Sequence, residues 1–132
     1  MTQQLGKLTF RPADQAKFLL GVAVDDYLKE HGYSDVWVSG IDPNLADTAT
    51  FCEQYEIGLD VSANCVIVEA KRGDKTWYAA CVVLATSRAD VNGVIRKTLN
   101  ARKVSFAPMD TATSLTHMEY GGITPVGLPS SW

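Results

Sequence analysis

"ANCVIVEAK" at 63–71 and "TWYAACVVLA" at 76–85, joined through "RGD" at 72–74, form the stretch on which the fold turns. Both runs are dense in Val, Ile, Cys and aromatic residues, which suit a pleated, half-buried surface. A short charged segment with a glycine lies between them, so the pair predicts an antiparallel hairpin. The second run is apolar almost throughout. Both its faces are therefore expected to be covered and its place in the sheet central.

Upstream, "ADQAKFLLGVAVDDYLKEH" at 13–31 sets Ala16, Leu19, Leu20, Ala23, Tyr27 and Leu28 at helical spacing. With Pro12 near its start and Gly32 just past its end, it predicts a first helix. "DVWVSG" at 35–40 reads as a strand that runs into the turn "IDPN". A second helix is expected at about 47–55, capped by Asp47 or Asn44 and closed near Gly58.

Downstream of the hairpin, Ser87 and Asp90 in "SRAD" offer the start of a helix through about Leu99. "KVSFA" at 103–107 reads as a strand, "PMDTATSLT" at 108–116 as a short helix with Pro108 in its first turn, and a loop follows. The order α, β, α, β, β, α, β, α, loop implies an α/β protein of the α+β type. Its central sheet should be mixed and largely antiparallel, with helices packed on it. A chain of 132 residues with 46% apolar residues, without repeat or linker, is expected to form one domain over 1–132 around one core.

Composition also excludes functions. The apolar runs, such as "YAACVVLA" at 78–85, are too short to span a bilayer, and "MTQQLGKLTF" lacks the blocks of a signal peptide, so a soluble, cytoplasmic protein is expected. Cys52, Cys65 and Cys81 have no CxxC spacing and an odd count, which fits reduced thiols. His31 and His117 stand apart from them, so neither metal nor cofactor is assigned. A net charge of −3 argues against bulk electrostatic capture of nucleic acid. The basic segments "IRKTLNARK" at 95–103 and "KRGDK" at 71–75 could each meet phosphates transiently or be a solvated face and a hairpin tip.

No Ser–His–Asp order, carboxylate pair, Walker loop or dinucleotide fingerprint occurs in the chain. Candidates for chemistry must then be backbone donors and hydroxyls. "HMEYGGITPVGLPSSW" at 117–132 holds three glycines and two prolines. It can be read as plain turns. It can also be read as a rigid loop in which Gly121 and Gly122 bring bare N–H groups to a ligand oxygen while Pro125 and Pro129 limit reorganisation.

The hairpin followed by "ADVNGVIRKTLNARKVSFAP", a short helix and "YGGITPVGLP" resembles the YbaK/EbsC family of prolyl-tRNA synthetase-associated editing domains, over about residues 44–129. The resemblance implies a deacylase that hydrolyses the ester of a mischarged aminoacyl-tRNA, with that tRNA as a transient partner. It places the loop residues Gly121, Gly122, Pro125 and Gly127 beside the ester. Fixed N–H donors there would stabilise the charge that develops when water attacks the carbonyl, an effect of about 3 kcal/mol per donor in known oxyanion holes. The helix opened by Asp47 and Thr48 borders the pocket in the family, so these two are either caps or secondary contacts.

Two departures accompany the resemblance. The family usually carries a lysine at the start of the first hairpin strand, followed by a hydroxyl residue; here Asn64 and Cys65 occupy those places. Asn64 can donate hydrogen bonds and orient a carbonyl or the terminal adenosine, but supplies no charge. Lys71 does not replace it: seven residues along a strand is roughly 23 Å, and the odd separation puts it on the opposite face. Cys65 is either an inert thiol or a nucleophile, and His117 either a structural histidine or a substrate contact. Family members also continue beyond "GLP" with a strand and a helix that this sequence is expected to lack. The rival to a deacylase is a module that binds aminoacyl-adenosine, tRNA or another partner without turnover; a third reading is a structural subunit that associates through the hairpin.

Overall fold

The computed structural model describes residues 1–132. The hairpin forms as expected: β4 (Ala63–Arg72) and β5 (Lys75–Leu84) pair antiparallel in unbroken register from Ala63↔Leu84 to Arg72↔Lys75 around the loop Gly73–Asp74. β6 (Lys103–Phe106) pairs antiparallel with the other side of β4, from Val68↔Phe106 to Lys71↔Lys103. The order β5-β4-β6 corrects one expectation. β4 is central, and the more apolar β5 is an edge strand, with Val82 60% and Leu84 56% exposed. Continuous apolarity is shared by a covered strand and by an edge strand whose outer face is left open, so pattern alone could not separate them.

One face of this sheet packs on the segment between β5 and β6. Val68, Ala70, Ala101 and Val104 are buried there, with Trp77, Ala79, Cys81, Val91, Ile95 and Leu99 against them. That segment is a π-helical turn, Val91–Ile95, running into α3 (Arg96–Thr98). Its cap is Asp90, whose carboxylate accepts from the Gly93 and Val94 N–H groups; Ser87 lies in the turn before it.

A second antiparallel sheet, β1 (Gln3–Leu5), β2 (Leu8–Pro12) and β3 (Trp37–Val38), was not expected from the first twelve residues. Its signal was present in "LTFRP", whose burial alternates, but the run is short and ends in proline. Leu8 is buried with Cys52 and Ile57 under Phe10, Phe51 and Tyr55, a second small core beside the first. This core sits on α2 (Thr48–Tyr55), capped by Asp47 as expected and closed by Glu56 in the left-handed region instead of near Gly58.

The first helix is shorter than its periodicity suggested. Residues 13–15 and 17–19 are separate 3-10 turns, and α1 is Val22–His31. Ala16 at φ −139° and Leu20 at φ −90°, ψ 139° leave helical space, so the apolar spacing of 13–20 serves two tight turns. α4 (Met109–Thr116) follows β6, with Pro108 as its N-cap and His117 closing it at φ 58°. The result is an α/β fold of antiparallel sheets with helices packed on them.

Candidate functional site

A cleft of about 580 Å³ opens where the N-terminal end of β4 meets α2, α4 and the glycine loop. Asp47, Thr48, Asn64, Cys65 and Gly121 all line it. These residues come from three separated parts of the chain, and each is delivered by a local cause. Asp47 caps α2 through Oδ2, which accepts from the Thr50 N–H and Oγ1–H. Thr48 opens the same helix, and its Oγ1 accepts from the Asn64 Nδ2 at 3.4 Å, a long bond that leaves the amide free to reorient. Asn64 and Cys65 are neighbours on a strand and so point to opposite faces.

The two glycines of the loop are not equivalent. The Gly122 N–H donates to the Glu119 carbonyl at 2.9 Å and closes a turn, whereas the Gly121 N–H has no partner. Gly121 sits at φ 86°, and a Cβ there would meet Ala46 Cβ at 3.3 Å and Pro43 Cα at 3.5 Å, so its bare backbone forms part of the wall. Gly127, at φ 93°, lies outside the cleft: its Cα presses on α1, where a Cβ would stand 2.7 Å from the Ala23 carbonyl oxygen. Pro125 is exposed and lines no cleft wall.

His117 is exposed and lines, with Gly122, a neighbouring apolar cleft of about 490 Å³ between the loop, β3 and the start of α1. It is not brought to Asn64. The Cys65 thiol is half-buried, and burial, with the nearby Cys81, pushes it above the usual thiol range. A thiol held protonated is a poor nucleophile at neutral pH.

The sequence reading passed over Tyr120, Phe106 and Met109, which stand at the cleft with 45%, 59% and 56% exposure. Large apolar side chains left open around a cleft suit a planar ligand group, and the signal for Tyr120 was its position immediately before the glycines. The basic residues Arg72, Lys75 and Arg102 gather with Asp74 at the far end of the hairpin. They lie about eight residues along β4 from Asn64, on the order of 26 Å. No group of three or more His, Cys, Asp or Glu side chains comes together, and no helix is long and apolar enough to cross a membrane.

Comparison with known proteins follows the same geometry. A profile of the aminoacyl-tRNA editing domain matches residues 42–132, which include every element around the cleft. Among solved structures, the crystal structure of hypothetical protein APE2540 aligns with a TM-score of 0.64 and 19% identity, over 82% of this chain and 68% of that one. At that identity the likeness concerns the fold. No curated protein matches the chain. With more than half its length inside the matched domain, the chain belongs to the aminoacyl-tRNA editing domain family, of YbaK/EbsC type.

Proposed function

We propose that the protein is an aminoacyl-tRNA deacylase that hydrolyses the ester of a mischarged tRNA in the cleft of Asn64 and Gly121. The observation that carries the reading is the convergence of Asp47, Thr48, Asn64, Cys65 and Gly121 on one cleft in a member of the editing-domain family. Gly121 contributes an unpaired N–H, which suits a carbonyl oxygen gaining negative charge. Asn64 orients the ester or the ribose through its amide, which its long bond to Thr48 leaves free to turn toward the ligand. Tyr120 and Phe106 offer faces on which the terminal adenine stacks. Water is the nucleophile, helped by a ribose hydroxyl; the Cys65 thiol has no hydrogen-bonded base to activate it, and burial pushes it up. Pro125 and Gly127 act on the loop, and Gly122 fixes its turn.

A second reading keeps the ligand and drops the turnover. It is favoured by the neutral Asn64 at the place where the family usually has lysine, and by the engagement of the Gly122 N–H with Glu119. The test is release of amino acid from labelled Ala-, Ser-, Thr- and Cys-tRNA by the parent chain and by Asn64→Lys. Release by the parent supports the deacylase. Release by Asn64→Lys alone makes the parent a binding module, and release by neither, with no binding, rejects both readings.

A further inference from the structure

The backbone of β4 changes its hydrogen bonding where the cleft begins. Even-numbered residues face β5, as the Ala85 N–H donating to the Ser62 carbonyl at 2.8 Å shows at the end of the ladder. Odd-numbered residues face β6: the Ala107 N–H donates to Ile67 O at 2.9 Å and the Arg102 N–H to Lys71 O at 2.8 Å. β6 ends at Phe106, opposite Val68, and Pro108, which has no N–H, turns the chain into α4. Cys65 therefore points both its N–H and its C=O toward the β6 side with no strand to receive them.

That open edge faces the cleft. α4 and the loop at Tyr120–Gly121 line the same cleft, whose volume of about 580 Å³ has room for a small group. An unpaired donor and acceptor on one residue match a ligand that offers both an N–H and a C=O, as strand edges do when they take up an extended peptide. An α-amino acyl ester has this pair: an ammonium to donate and a carbonyl to accept. Asp47 in the same cleft adds negative charge that favours the ammonium.

We propose that the main chain of Cys65 is the binding edge for the α-amino acyl group, its C=O accepting from the substrate ammonium and its N–H donating to the acyl oxygen or a ribose hydroxyl. The proposal rests on the deacylase reading for its substrate and deepens it: selection of an α-amino acid as a class comes from backbone, independently of the side chain at 65. Cys65 is on this view a substrate-binding residue that acts through its main chain.

Two measurements test it. Cys65→Pro deletes a donor that no strand uses and is expected to lose about 10- to 100-fold in deacylation, the range of one lost hydrogen bond to a polar or charged group, with its thermal unfolding followed beside the parent's. In the parent, the Cys65 amide resonance is followed by NMR during titration with 3′-(alanylamino)-3′-deoxyadenosine and its seryl, threonyl and cysteinyl counterparts. It is expected to shift with these and not with adenosine alone. Cys65→Pro with parental activity, an unmoved Cys65 amide in a bound complex, or no binding of any of the four overturns the proposal. Binding through Cys65 without hydrolysis of any aminoacyl-tRNA upholds the edge and removes the deacylase reading; hydrolysis with Cys65 unaffected does the reverse.

Discussion

Gly127→Ala is expected to be the most damaging small change in the glycine loop, although Gly127 does not line the cleft. Its φ of 93° lies where a Cβ is strained, and that Cβ would stand 2.7 Å from the Ala23 carbonyl oxygen, 2.9 Å from its carbon and 3.0 Å from Val24 Cα. All three are backbone atoms at the start of α1, so no side chain can swing aside. Strain in a rare backbone region costs about 1–3 kcal/mol and overpacking about 1–3 kcal/mol more, together about 2–6 kcal/mol. For a chain of this size that lowers the melting temperature by roughly 7–20 °C. Gly122→Ala is the internal control, since its Cβ would meet only Glu119 O at 3.5 Å; a change within about 1 kcal/mol is expected. Thermal and urea unfolding of both variants measure the difference. Gly127→Ala as stable as the parent, or Gly122→Ala equally damaged, would refute the view that the loop is seated on α1 and carries Gly121 to the cleft from there.

Three further outcomes are expected. Tyr33 donates to the Asp25 carboxylate, which holds Asp25 below the usual carboxylate value of 3.8 and pushes Tyr33 up to about 12. Stability from Tyr33 is therefore full below pH 10 and lost as pH rises toward about 12, while that from Asp25 is present above pH 3.8 and lost as pH falls below it. Melting curves of Tyr33→Phe should be flatter in both windows; an unchanged pH profile would remove the pair from the stability of α1. Arg72→Glu with Arg102→Glu should weaken tRNA binding and reduce the slope of log K against log salt, read by filter binding from low to physiological salt; an unchanged slope would place no phosphate at the hairpin tip. Tyr120→Ala should raise the KM for aminoacyl-tRNA several-fold with Gly121 left in place, and equal kinetics would exclude stacking on that ring.

Much of this protein was legible before any coordinates. The hairpin 63–85, the strand at 103, the Asp47 cap and the family were readable because they depend on local causes: β-branched runs, a turn between them, a side-chain oxygen before a helix, and the order of motifs along the chain. Tertiary structure alone decided which strand is central. An apolar run states that a strand can be buried, not which neighbours bury it, and β5 lies at the edge because β6 pairs with β4. It alone broke 13–31 into turns and a helix, where backbone angles at Ala16 and Leu20 override the apolar spacing. The same is true of the cleft. Asn64, Thr48 and Gly121 are brought together by pairing and packing across some seventy residues, and two adjacent glycines of identical chemistry part company because one N–H closes a turn and the other is left unpaired.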